Sequence, residues 1–403
     1  MPSEIDFRSP DFLRAHILHT MSFYDGRSID ETGGFFHFFK DDGEVYDRRT
    51  RHLVSSCRFV FNNAMAARRF GNQRWFEAVR HGLKFLREAH RDLRSGGYLW
   101  QLRWDKGQRE VIDATNHCYG LAFVLLAHAH AAMAGVSEAR PGIVETFDLM
   151  ERHFWEPAHG LYADEATPDW TVAPYRGQNA NMHACEAMLA AFDATRDPRY
   201  LDRAQMLAEA VTSHLAALAG GLIWEHYHAD WSPDWDYNRH DKSNIFRPWG
   251  YQPGHLAEWA KLLLILERHR PTAWLLPRAR ELFAAAMAHA WDDEHGGLFY
   301  GFAPDESRSG GFVVCDDDKY FWVQAESLAA AALLAVRTAE STYWDDYDRL
   351  WSYSWRHFVD HDNGAWYRIL TRDNRKYSDE KSPAGKTDYH TMGACYEVLA
   401  ALA

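Results

Sequence analysis

The stretch Asp292-Asp293-Glu294-His295-Gly296-Gly297-Leu298-Phe299-Tyr300 decides the fold, because the chain repeats its pattern. Glycine followed by aromatic or aliphatic residues recurs as Gly33-Gly34-Phe35-Phe36, Gly96-Gly97-Tyr98-Leu99-Trp100 and Gly160-Leu161-Tyr162. It returns as Gly220-Gly221-Leu222-Ile223-Trp224 and Gly364-Ala365-Trp366-Tyr367. Taking the last glycine of each copy, the spacings are 63, 63, 61, 76 and 67 residues. A near-constant long period marks a repeat architecture, in which one unit cannot bury its apolar face without neighbours. Polar residues ahead of the glycines, as in Asp30-Glu31-Thr32 and Asp360-His361-Asp362-Asn363, predict a tight turn into a short extended segment.

Between these marks the apolar spacing is helical. Each interval holds two runs: about 52–70 with 74–90, 115–134 with 140–155, 179–195 with 199–217, 253–269 with 274–291, and 320–340 with 343–358. In 320–340, Phe321, Ala325, Leu328 and Ala332 recur at three- and four-residue steps. Asp197-Pro198 and His269-Arg270-Pro271 punctuate the pairs. Two more runs, 10–23 and 387–402, remain at the chain ends. If those two pair, six helical hairpins close a ring, and neither end needs the polar cap that an open array requires. The expectation is an all-α fold, one (α/α)6 barrel over residues 1–403, with short β segments in the connecting loops.

The inner helices of such a ring surround a cavity, and ligands favour concave sites lined by aromatics with a few convergent polar groups. The residues that open the first helix of each pair are unusually polar. They are Thr50-Arg51-His52 with Arg58, Asn116-His117, Asn179 to His183 with Glu186, and His255 with Glu258. The series continues with Lys319 to Trp322 with Glu326, and ends at Lys386 to His390. His183/Glu186 and His255/Glu258 each stand three apart, on one helix face. A lone helical histidine is usually structural. Recurrence of His183, His255 and His390 at comparable points of three hairpins points instead to acid–base chemistry.

Composition narrows the classes. The formal charge of −13 argues against wrapping nucleic acid or docking on an acidic membrane. With 47% hydrophobic residues and 15% aromatics, disorder is excluded. The N-terminal MPSEIDFRSPDFLRAH has early acids and no apolar core, so no signal peptide is expected. Cys57, Cys118, Cys185, Cys315 and Cys395 are scattered and odd in number, which fits core packing in a reducing, cytoplasmic setting. No nucleotide-binding glycine motif occurs, and neither a cofactor nor a metal is expected. Three convergent histidines would still suit zinc. Opposed carboxylates among Asp113, Glu186, Glu258, Asp318 and Glu326 would suit glycoside hydrolysis. Asp316-Asp317-Asp318 reads as a solvated turn. The sequence marks no specific interface, so a homo-oligomer stays open.

Several stretches carry a family pattern: Arg49-Thr50-Arg51, Asn179-Ala180-Asn181-Met182-His183-Ala184-Cys185-Glu186, and Pro253-Gly254-His255-Leu256-Ala257-Glu258-Trp259. Trp322-Val323-Gln324-Ala325-Glu326 and Lys386-Thr387-Asp388-Tyr389-His390 complete it. Together they resemble the N-acylglucosamine 2-epimerase superfamily over essentially the whole chain. The resemblance implies an (α/α)6 barrel acting on a free sugar without a cofactor. Within it the chain is most similar to bacterial members that interconvert D-mannose and D-fructose. By the same resemblance, His255 and His390 match the acid/base histidines. Arg51, Asn179, His183, Glu258, Trp322 and Glu326 match substrate-contacting or histidine-orienting positions, and His117 lies near another pocket position. His390 is then expected to shuttle the C2 proton through an enediol, with His255 assisting ring opening and Arg51 facing oxyanion character. A sugar 2-epimerase and a non-catalytic sugar-binding barrel are the alternatives.

Overall fold

A computed structural model of the chain describes residues 5–241, 244, 246–305, 307 and 310–403. The first four residues of the N-terminal stretch quoted above lie outside that set. The fold is mostly helical, with short antiparallel strands in its loops. The helices are α1 (Pro10–Tyr24), α2 (Leu53–Phe70), α3 (Gln73–Phe85), α4 (Cys118–Met133), α5 (Arg140–His153), α6 (Gln178–Thr195) and α7 (Pro198–Glu209). They continue as α8 (Ala216–Leu218), α9 (Pro253–His269), α10 (Leu275–Ala290), α11 (Phe321–Thr338), α12 (Ser341–His357) and α13 (Tyr389–Ala401). A π-helical stretch, Ala210–Leu215, joins α7 to α8 as one rod, and Leu86–His90 extends α3 in the same manner.

Local chemistry sets the boundaries. Ser9 caps α1 through the Asp11 amide with Pro10 in the first turn, Asn72 caps α3, and Asp197 with Pro198 opens α7. Gly71 ends α2 at φ 71°, where a side chain would be strained. Burial then separates two kinds of helix. In α3, Trp75, Ala78, Val79, Gly82 and Leu83 form one buried stripe under a polar face. In α11 nearly every residue from Phe321 to Ala335 is buried, so neighbours must cover it all round.

The packing follows. Helix α2 lies against α4, α4 against α6, α6 against α9, α9 against α11, α11 against α13, and α13 against α2 again. Behind them stand α3, α5, α7, α10 and α12, each against the helix it follows in the chain, while α1 backs α13. The N- and C-terminal helices therefore meet. One apolar cluster extends from Leu13 to Leu399. Among the described residues no helix is long and apolar enough to cross a membrane.

The glycine marks are turns of one design. The amides of Gly33, Gly96, Gly296 and Gly364 donate to the carbonyls of Asp30, Asp92, Asp292 and Asp360. A carboxylate oxygen of each aspartate accepts the amide two residues on, at Thr32, Arg94, Glu294 and Asp362. Gly96, Gly296 and Gly364 have φ of 74°, 74° and 93°, which explains the residue type. Four of the glycine-aromatic segments are also held from the next inner helix or the residues just before it. Asn116 accepts the Tyr98 amide, Asn181 that of Tyr162, Gln324 that of Leu298, and Asp388 that of Trp366.

Basic residues then staple the turns. Arg51 pairs with Asp30 at 2.6 Å, Arg176 with Glu156 at 2.6 Å, Lys319 with Asp292 at 2.8 Å, and Lys381 with Asp360 at 2.5 Å. Arg51, Arg176 and Lys319 each sit two residues before an inner helix, and Lys381 lies on a short strand in the loop that leads to α13. Arg51 thus fills a repeated structural role, and the further bonds of its guanidinium go to the carbonyls of Arg48 and Thr50. It is fully buried and does not reach the hollow described below, so the expectation that it faces the substrate is corrected.

Candidate active site

The inner helices start around a hollow of about 690 Å³, counting its open mouth. Each sends in a residue from its first turns: Arg58 from α2, Tyr119 from α4, Asn179 and His183 from α6, His255 and Glu258 from α9, Trp322 from α11, His390 from α13. Loops add Phe246, Tyr300, Tyr320 and Lys386. The Gly254 Cα lies against the Trp322 ring, where an added Cβ would come within 2.3 Å of it. That contact holds Trp322 across the floor with its ring centroid 5.0 Å from His255 and 5.7 Å from His390. Two imidazoles far apart in sequence thus flank one aromatic wall.

Hydrogen bonds settle the tautomer of His390. Its Nε2 lies 3.3 Å from Nη2 of Arg58, which can only donate, so Nε2 accepts. The proton then sits on Nδ1 and is donated to Glu326 Oε1 at 2.6 Å. Burial, reinforced by the Arg58 charge, holds the His390 pKa well below the usual 6.5 and keeps the ring a neutral base. His255 is arranged alike. Its Nδ1 lies 3.0 Å from Glu225 Oε1, and Gln178 donates to the other oxygen of Glu225 at 2.9 Å. Gln178 is fixed in turn by the Trp259 indole at 2.7 Å. His183 pairs with Glu186 at 3.0 Å, and Glu186 accepts the Tyr389 hydroxyl.

Several buried polar atoms have no hydrogen-bond partner among the described residues: both oxygens of Glu258, Oδ1 of Asn179 and Nε of Arg58. Folded proteins rarely leave such groups unpaired away from a ligand. These atoms belong to residues lining one hollow, where a bound polar ligand would pair them; others of the kind, such as those of His16, Gln252 and Tyr396, lie away from it.

Of the residues singled out from sequence, His255, His390, Asn179, His183, Glu258 and Trp322 line this hollow. Glu326 stands behind His390. His117 lies in an adjoining hollow, its ring centroid 4.0 Å from that of Trp100 at a 39° tilt and its Nδ1 3.6 Å from Glu165. Arg58, named among the polar openings but given no role, lines the hollow, while Glu225 and Lys261 were not singled out. Lys261 is three residues beyond Glu258 on the same helix, which is a readable signal, and its Nζ lies 2.5 Å from Glu326. Glu225 directly follows a glycine-aromatic segment, yet nothing local links it to His255. Among the described residues, ligand atoms of Glu258, Glu326 and His390 fall within 4.8 Å of one another, as do those of His183, Glu186 and Glu258. A lysine ammonium already serves the first trio, so no ion is assigned to it.

Buried histidines dominate the acid response. Desolvation lowers His52 to about 3 and His90, His117 and His226 to about 4. Below about pH 6.5 the unfolded chain binds protons at these sites that the folded chain refuses, so stability falls as pH drops. Buried Asp164, raised to about 7, works the other way, but such acids are fewer. The thermal midpoint is expected to be highest above pH 6.5 and to decline steadily towards pH 4; a midpoint that rises on acidification would contradict this balance.

A sequence profile described as N-acylglucosamine 2-epimerase (GlcNAc 2-epimerase) matches residues 34–394. The chain is 56% identical over 398 residues to a D-mannose isomerase of Marinomonas mediterranea, covering 98% of each. It is 37% identical to a D-mannose isomerase of Thermobifida fusca, covering 72% of this chain and 70% of that one. A crystal structure of a D-mannose isomerase, 56% identical, superposes with a TM-score of 0.94 over 99% of this chain and 100% of the other.

Proposed function

The chain belongs to the N-acylglucosamine 2-epimerase family, and from that premise we propose that it is an aldose–ketose isomerase interconverting D-mannose and D-fructose through an enediol. In this reading the closed circuit of helix pairs is an (α/α)6 barrel forming one domain, and the sugar enters the hollow as the free monosaccharide. The observation that carries it is the pair of histidine–glutamate couples, His390–Glu326 and His255–Glu225, whose imidazole centroids stand 5.7 Å and 5.0 Å from the Trp322 ring.

Ring opening exposes the C1 aldehyde and acidifies the C2 proton. His255 moves the proton between the ring oxygen and O1. His390 Nε2 takes the proton from C2, and the C2 electron pair becomes the enediol double bond. Glu326 stabilises the imidazolium through Nδ1–H. Arg58, beside His390 Nε2, faces the oxyanion that develops at O1 and O2. Returning the same proton to C1, while His255 passes the O2 proton to O1, leaves a carbonyl at C2 and gives the ketose. Asn179, His183 and the unpartnered Glu258 hold hydroxyls, and Trp322 supplies the apolar wall.

Incubation with D-mannose in D2O tests this. Fructose is expected as the dominant product, at a rate unchanged by a chelator. Dominant glucose would assign the protein to 2-epimerisation instead. Absence of both conversion and C2 exchange would leave a sugar-binding protein.

A further inference from the structure

Behind the hollow, three carboxylates share two fixed cations. Glu186 on α6, Glu258 on α9 and Glu326 on α11 face Arg58 from α2 and Lys261 from α9, with His183, Tyr389 and His390 closing the group. Donor and acceptor roles divide the acids unequally. Both oxygens of Glu326 accept: Oε2 from the Lys261 ammonium at 2.5 Å, Oε1 from His390 Nδ1–H at 2.6 Å. A carboxyl group that accepts at both oxygens is ionised. Glu258 has neither oxygen engaged and lies 3.6 Å from the same ammonium, inside a buried environment already holding the Glu326 charge. Two carboxylates this close, with the lysine committed to one, do not both ionise at neutral pH.

We propose that Lys261 is a positioning residue that distributes protons in the site: by pairing with Glu326 it keeps that group ionised for His390 and leaves Glu258 a neutral acid facing the hollow. The division rests on the reading of His390 as the base. It gives each glutamate a different task. Ionised Glu326 supports the imidazolium as it forms. Protonated Glu258 donates a hydrogen bond to a sugar oxygen without repelling the enediolate, and its carbonyl oxygen accepts a hydrogen bond from a sugar hydroxyl. Electrostatics agree with the geometry. Burial pushes both acids up, Glu258 further: the Glu326 charge adds to burial there, whereas the Lys261 charge and hydrogen bond draw Glu326 back down.

Infrared spectroscopy of the full chain decides this without any sugar. At pH 8, where Asp164 (raised by burial to about 7) is largely ionised, the wild type is expected to show a protonated-carboxyl band that shifts in D2O and disappears in Glu258→Gln. Lys261→Met is expected to add a second such band as Glu326 takes up a proton, and Lys261→Arg is expected not to. The mannose assay adds an independent arm. Lys261→Met should lower kcat by about 10²-fold, the lower end of what a positioned base contributes, with Lys261→Arg restoring most of it and KM little changed. A wild-type spectrum lacking the band overturns the proposal by itself, as does a band that survives Glu258→Gln or a Lys261→Met spectrum with no second band. If the wild type failed to isomerise mannose, the assigned function would fall while the infrared result still judged the proton distribution.

Discussion

Replacing His390 with alanine is expected to lower kcat for mannose isomerisation by about 10² to 10⁴, the range a positioned general base supplies. Exchange of the C2 proton with solvent should fall by the same factor, because both need Nε2 at C2. The fold should survive. Glu326 keeps its 2.5 Å bond to Lys261 when the imidazole is gone, so no buried carboxylate is stranded. A thermal midpoint close to that of the wild type, together with lost exchange, is the expected pair of results. Normal exchange in a folded His390→Ala would remove this residue from the base role and pass it to His255.

The two arginines near the start of α2 should part company in a similar test. Arg58→Met is expected to reduce kcat/KM by about 10² to 10³, as loss of one oxyanion partner typically does. Arg51→Met should act on stability instead. It strands Asp30, which is only 9% exposed, and breaking one side of a buried pair costs about 3–5 kcal/mol. Urea titration of Arg51→Met should show an early midpoint at an ordinary slope, while the folded fraction turns over at close to the wild-type rate. Were Arg51→Met instead stable and inactive, the guanidinium would have a part in the chemistry that its bonds to Asp30, Arg48 and Thr50 do not suggest.

Those arginines also mark where local reading stopped. Both are polar residues close to one helix start, and seven positions separate them. From sequence alone each can face a cavity. The difference lies in Asp30, on a turn of the preceding repeat, and in Gly385 and His390, at the other end of the chain. His117 shows the same limit: its place before α4 matches that of the other polar openings, yet the loop carrying Glu165 draws it into the adjoining hollow.

What the sequence by itself determined is everything fixed by contacts a few residues apart. Three- and four-residue apolar steps set the helices, the Asp-to-Gly turns set the repeat, and the Pro253-Gly254-His255 and Tyr389-His390 openings put two imidazoles at comparable helix positions. The tertiary structure alone decided the partners. Glu326 stands 64 residues from His390 and meets it because α11 packs on α13, while Glu225 stands 30 from His255 and is placed by the strand pairing that ties its segment to the start of α6. A carboxylate's role as anchor, acid or bystander follows from which charge the closed circuit of helices brings within hydrogen-bond reach. That distance is a property of the assembled fold and has no local pattern to announce it.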